Sequence, residues 1–330
     1  MMKTIASIAV FSTILVCAAG HARAKEPLRF IFITCCKNEA FFTPVKKGMQ
    51  DAAAAMKVQC EFTGTEGVDL PAQVELVRKA VAEGCDGIAL NIIDAKAFTE
   101  VIAEARKKGI PVVAFNIDAQ GAKDNTGRED GAAGTKAAPP RRLSAVCQDF
   151  VNAGRTLGEK AVEFIPKGSK VLITLHDHGI SALDERAAGI QEVLKREGIA
   201  AKVICATNEP KKAAELIAAE LAADPAIRCV LGTGQTDTEA AGTVLVRDYA
   251  GKGYQSAGFD LSPEILRLVK AGVIQCTIDQ QPYSQGYYPV VQLALYCRYG
   301  IKPSDIDAGA GIVAKDDVER IIGLTREHYR

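Results

Sequence analysis

Histidine is scarce in this 330-residue chain, with four in all. "HDH" (His176, Asp177, His178) puts two of them on one face of a strand, but only His328 follows, so a metal there would need acidic ligands. The pair is read as structural or ligand-contacting, and no metal is expected. Net charge is missing as well: 40 basic residues balance 40 acidic ones, which invites neither nucleic acid nor an anionic membrane. No two cysteines have the C-x-x-C spacing of a redox or zinc site. There is no G-x-S-x-G either, since "GISAL" lacks the closing glycine and no serine has an evident base. "GTGQTD" follows a strand but lacks the third glycine of a dinucleotide fingerprint, and "GREDGAAGTK" misses the spacing of a phosphate loop. The paired carboxylates Asp184 and Glu185 open a helix, where they favour its dipole. No catalytic residue and no cofactor is expected.

Long apolar runs are absent after the first residues, where "MMK" gives a basic start and "TIASIAVFSTILV" an apolar stretch short for a membrane span. "HARAKEP" then offers Ala22-Arg23-Ala24, a small-x-small cleavage site. Residues 1–24 are expected to be an export signal, with a mature chain starting at Lys25 and working in the periplasm if the host is Gram-negative. The 306 residues that remain of 330 after removing 24 suit two domains of ordinary size.

Cysteine is not scarce. Removing Cys17 from ten leaves nine, an odd number that forces at least one free thiol. Most lie in apolar strand-like runs such as "KVICAT", "IRCVLG" and "VIQCTI", where they act as small buried hydrophobes. Cys35 and Cys36 stand apart, because adjacent strand residues point to opposite faces.

From Arg29 onward, short β-type runs alternate with amphipathic helices. "RFIFIT", "GIALNI" and "PVVAFNI" are separated by "FTPVKKGMQDAAAAM", "DLPAQVELVRKAVAEG" and "AKAFTEVIAEARKKG". This pattern predicts a parallel sheet with helices on both faces. It starts again at "KVLITLHDHGISALDERAAGIQEVL", giving a second α/β unit. Between the units lies "DAQGAKDNTGREDGAAGTKAAPPRR", without periodicity, which is read as an exposed, solvated insertion over 119–142. Ligands of such sheets collect beyond the carboxyl ends of the strands. Those ends read "CCKNEAFF", "NIID", "FNIDA", "LHDHGIS", "ATNEP", "GTGQTD", "GFDLS" and "TIDQQPY", rich in Asn, Asp, Gln and His. Two such units facing one another make a polar cleft with a few aromatic faces, suited to a neutral, hydroxyl-rich ligand.

The order of these motifs resembles the periplasmic sugar-binding proteins of ABC transporters, the type I group of ribose-, xylose- and galactose-type binders. The likeness runs from Arg29 to about Val318, through N-x-x-FF, "ALNIID", "VVAFNIDA", "VCQDFVNAG", "SALDERAAGI", "GFD" and "TIDQQPYSQGY". It implies two doubly wound parallel-sheet α/β lobes joined by a hinge, 25–145 with 281–308 and 146–280 with 309–330, and a ligand cleft between them. By position, Phe41 and Phe42 match the aromatic pair whose ring packs on the sugar. Asn38 or Glu39 matches the polar contact before it, and Asn91 a hydroxyl contact. Asn116 sits where many relatives carry Asp. Arg186 matches the arginine that grips neighbouring hydroxyls, Asp260 the carboxylate of "GFD", and Gln280 the amide of "TIDQ". Gln148 of "VCQDF" and Asp177 complete the expected set.

This sequence also departs from the pattern. Ile117 replaces the second arginine of ribose-type binders, and Asp118 follows it. Asn208 falls where some relatives place a ring. Gly234 stands where an Asn contact would be expected, leaving Gln235 or Asp237 to reach in. The resemblance implies capture of a small neutral sugar or polyol by a monomer that serves an ABC permease and ATPase complex. A chemoreceptor-linked or autoinducer-binding role, and a secreted sugar-acting enzyme, are the alternatives.

Overall fold

The computed structural model describes residues 27–119, 141–177 and 179–330, so the expected export signal and nearly all of the 119–142 insertion lie outside it. Its described residues form two six-stranded sheets. The first contains β1 (Arg29–Thr34), β2 (Gln59–Gly64), β3 (Gly87–Ile92), β4 (Val112–Asp118), β5 (Ser144–Cys147) and β11 (Ile306–Asp307), in the order β11-β5-β4-β3-β1-β2. The second contains β6 (Lys170–Leu175), β7 (Ala201–Cys205), β8 (Ile227–Gly232), β9 (Gln255–Phe259), β10 (Cys276–Asp279) and β12 (Gly311–Ala314), in the order β12-β10-β9-β8-β6-β7. Every pairing is parallel except β10 with β12. Strands such as β3 are buried at every position, as sheets covered on both faces require.

The helices are α1 (Phe42–Met56), α2 (Leu70–Ala82), α3 (Ala95–Lys107), α4 (Phe150–Val162), α5 (Ser181–Arg196), α6 (Pro210–Ala223), α7 (Gln235–Asp248), α8 (Pro263–Lys270), α9 (Pro282–Tyr299) and α10 (Val318–Arg326). Several begin where the sequence supplies an acceptor for the orphan N–H groups of the first turn. Asp69 accepts from Ala72 N at 3.0 Å, Asp149 from Asn152 N at 2.9 Å and Ser262 from Ile265 N at 3.1 Å. Among the described residues, no helix is long and apolar enough to cross a membrane. No disulfide joins the nine described cysteines.

The chain passes between the sheets three times: after β5, after β10, and between β11 and β12. The lobe boundary expected at 145/146 falls inside β5, which stays paired with β4 as far as Cys147, so the first crossing is Gln148-Asp149. The crossings are tied to one another. Gln148 Nε2 donates to Gly309 O at 2.7 Å, and Asp307 Oδ1 accepts from Asp149 N at 3.1 Å and Gly309 N at 2.8 Å.

Candidate binding cleft

The strand ends that face the crossings carry unusual backbone. Five of the seven described non-glycine residues with positive φ are Cys36, Asn116, Thr207, Asp260 and Gln281, each at or near the carboxyl end of a strand. Such conformations persist where surrounding structure enforces them, and they gather at ligand sites. At Asn116 (φ 63°) the left-handed turn coincides with a break in the β3–β4 register. Its amide then meets other amides instead of following the ladder.

The amides form one hydrogen-bonded series from the first lobe to the second. Asn91 Nδ2 donates to Thr34 Oγ1 at 2.9 Å and to Asn116 Oδ1 at 3.3 Å. Asn116 Nδ2 donates to Gln285 Oε1 at 3.1 Å, and Gln285 Nε2 to Gln280 O at 2.6 Å. The Gln280 side chain then accepts from Arg186 Nη2 at 3.1 Å and donates to Asp260 Oδ1. Asn91 Oδ1 and Asp118 Oδ1 are buried acceptors with no donor among the described residues.

Arg186 anchors the far end. It is 3% exposed, its Nε and Nη2 donate to Gln148 Oε1 at 3.1 and 2.8 Å, and its Nη1 donates to Thr233 O at 2.9 Å. The guanidinium lies 4.2 Å from the Phe259 ring centroid and 5.2 Å from that of Phe150. It can sit so deep because α4 and α5 touch backbone to backbone: a Cβ on Gly154 would lie 2.1 Å from Arg186 O. Burial pushes its pKa down to about 10, with Asp260 and Asp237 opposing, so it stays charged near neutrality. Burial raises the Asp260 carboxyl above its ordinary range, opposed by Arg186 and Gln280.

A cavity of about 430 Å³ opens between the lobes, within the usual size range of small-molecule sites. Phe41 and Pro44 of the first lobe, Leu261 and Pro263 of the second, and the polar Gln235, Asp260 and Gln280 line it.

The expected residues do not all meet here. Asn91, Asn116, Gln148, Arg186, Asp260 and Gln280 join the series, and Phe41 and Gln235 line the cavity. Phe42, expected as half of an aromatic wall, is 4% exposed and packs with Phe62 and Phe115 in the core of the first lobe. As the first residue of α1 it turns inward, and only Phe41 is left at the cavity. Asn38 is exposed and bonds Glu66 on its own lobe, while Glu39 lies exposed in the same turn. Asn208 is exposed and accepts from Thr236 Oγ1 at 2.7 Å. Asp177 is exposed, although its charge acts on Cys36.

Asp118 Oδ2 is taken by Arg142, which also donates to Asp305 Oδ1 at 3.0 Å in a mostly buried triad. Arg142 closes the stretch read as an exposed insertion, and that reading fails at this residue. Asp237 does not reach inward. It is fully buried, accepting from Thr174 Oγ1 at 2.9 Å, Thr233 N at 2.7 Å and Gly234 N at 3.1 Å. His176 explains the glycine at 234, since a Cβ there would lie 2.5 Å from its Cδ2. Burial lowers the His176 pKa to about 4. Gln285 is the member of the series that the sequence reading left out, although it stands inside "TIDQQPYSQGY" on the first turns of α9.

The model of the periplasmic binding protein domain matches residues 30–301, most of the chain. This chain belongs to that family. It is 26% identical over 315 residues to a xylose/arabinose-binding protein, XylF, of Sulfolobus acidocaldarius, covering 93% of this chain and 76% of that one. It is 24% identical over 288 residues to the ribose import binding protein RbsB of Salmonella typhimurium, covering 85% and 88% of the two chains. Among solved structures, a carbohydrate transporter from Acidothermus cellulolyticus in complex with myo-inositol aligns with a TM-score of 0.77 at 27% identity, over 92% of this periplasmic binding protein and all of that chain. The two-lobed α/β architecture is thus the family fold, and the cleft between its lobes is the candidate site.

Proposed function

We propose that this protein binds a small neutral sugar or polyol between its lobes and delivers it to the permease of an ABC importer, working in the periplasm after export. The observation that carries the reading is the amide series running from Asn91 to Arg186 and Asp260 across the crossings. It offers fixed donors and acceptors from both lobes, which is what neighbouring hydroxyls need. Asn91 Oδ1 and Asp118 Oδ1 are buried acceptors with no donor among the described residues, and the half-buried Phe41 ring offers an apolar face at the cavity. Relatives that bind xylose/arabinose and ribose, and a similar structure in complex with myo-inositol, support the same chemical class.

Each lobe supplies part of the site, so a ligand that bridges both favours the closed arrangement over the open one. The reading contains no bond-making step: the cleft captures and releases. A thermal-shift screen of the mature protein against pentoses, hexoses and polyols tests it. One of these should raise the melting temperature, with a stabilisation of about 2.7 kcal/mol at a hundred times its Kd. A larger shift with NAD or a nucleotide than with any sugar or polyol overturns the ligand class.

A further inference from the structure

Three residues that line the cavity, Thr325, His328 and Arg330, come neither from strand ends nor from the crossings but from the end of α10 and the residues after it. α10 is part of the second lobe, where Val318 and Ile321 share a buried cluster with Ile265 and Leu268 of α8. The helix stops in a tight hydrogen-bonded turn: His328 N donates to Thr325 O at 3.0 Å and Tyr329 N to Leu324 O at 2.9 Å. Such a Schellman turn needs a left-handed residue, usually glycine, and His328 takes that place with φ 60°. The turn fixes where the next two side chains go. Tyr329 crosses to the first lobe, its ring centroid 5.2 Å from that of Tyr283 on α9 and 4.8 Å from Lys47 Nζ on α1. Arg330 stays at the crossing after β10, its Nε 3.1 Å from Asp279 Oδ2. We propose that Tyr329, anchored by Arg330, clasps the second lobe to the first beside the cavity and favours the closed cleft, so that ligand affinity depends on it. The effect on affinity rests on the sugar reading of the cleft, whereas the clasp itself does not.

The seat for Tyr329 is held by the first lobe's own packing. α1 and α9 touch backbone to backbone, since a Cβ on Gly48 would lie 2.1 Å from Tyr283 O. Met49, Val290 and Leu293 tie the two helices to the core around Phe30 and Phe32. Tyr283 Oη donates to Asp51 Oδ2 at 2.9 Å, and Lys47 Nζ donates to the same oxygen at 2.9 Å. Phenol and ammonium are thus fixed, and Tyr329 packs against both. Ring pairs, and a cation over a ring, each favour contact. Arg330 acts differently. Asp279 is 5% exposed and precedes Gln280, whose side chain joins Arg186 to Asp260. The guanidinium offsets a carboxylate buried at the crossing, which keeps the residues after α10 docked at the cavity wall.

The three crossings are covalent and persist in every arrangement of the lobes. The Tyr329 contacts exist only while the end of α10 lies against α1 and α9, so they add to the closed arrangement alone. A ligand that needs both lobes binds with an affinity scaled by the closed fraction. Tyr329 does not line the cavity, so its loss weakens binding through that fraction.

Small-angle X-ray scattering of the mature protein without ligand tests the clasp. Tyr329→Ala should raise the radius of gyration above the native value, and Tyr329→Phe, which keeps the ring, should not. Lys47→Met removes the cation from the other lobe and should open the protein in the same direction. Added to Tyr329→Ala, it should open the protein no further. Saturation with the sugar or polyol found by screening should return Tyr329→Ala to the native liganded radius. Its affinity should be lower by about fivefold or more, the size of one ring pair and one cation–π contact. Equal unliganded radii for the native protein and Tyr329→Ala overturn the proposal, and equal affinities overturn its effect on binding. If no sugar or polyol binds, the ligand reading falls while the scattering still decides the clasp.

Discussion

Replacing Arg186 by methionine puts the greatest strain on the binding model. The side chain is not a surface ion-pair partner of its helix neighbours: four of its five N–H donors are engaged, on Gln148, Thr233 O and Gln280. Methionine keeps much of the volume between the Phe150 and Phe259 rings but none of the donors. The acceptors on Gln148, Thr233 and Gln280 lose their donors, at about 1–3 kcal/mol for each that water does not reach. Against this, the cost of burying a guanidinium disappears. The balance predicts an unliganded protein destabilised by about 1–4 kcal/mol, measurable as a lower urea midpoint. Burial of Arg186 is what makes this larger than a surface substitution would give. Binding should fall at least thirtyfold, or about 2 kcal/mol, because the last guanidinium donor and the position of Gln280 are both lost. Calorimetry with the sugar found by screening measures it. Sugar affinity within threefold of the native value would refute the role of Arg186 and weaken that of Asp260 and Gln280.

Phe41 and Phe42, adjacent in sequence, should separate cleanly. Phe42→Ala should cost about 3–5 kcal/mol of stability by denaturation. Phe41→Ala should cost mainly sugar affinity, and equal losses of stability would contradict the placement of the rings. Asp237 should leave a signature in pH. Burial raises its pKa to about 7 from an ordinary value of 3.8, so the folded state holds a proton that the unfolded state has lost. Its contribution is therefore complete below about pH 4 and is lost as pH rises through 7. Comparing urea midpoints of the native protein and Asp237→Asn across that range should show the smaller decline in the variant, and identical slopes would count against it.

Much of the architecture was legible in one dimension. Buried runs such as "RFIFIT" and "GIALNI" and amphipathic segments such as "FTPVKKGMQDAAAAM" begin and end as β1, β3 and α1 do, because burial on both faces and helical periodicity leave local marks. The strand ends, and with them the polar composition of the cleft, follow from the same pattern. What a side chain does at a strand end depends on tertiary geometry. Phe41 and Phe42 have the same chemistry, and only the start of α1 decides which ring enters the core. Asp118 was legible as polar and near the cleft, but its engagement by Arg142 depends on a partner 24 residues away, beyond an aperiodic stretch. Gln285 joins Asn116 across 169 residues, a separation that leaves no local pattern. The sequence determined which residue types gather at the cleft, because periodicity places strand ends. The tertiary structure decided which of them remain available to a ligand, because buried polar groups take the nearest partners and that nearness exists only after folding.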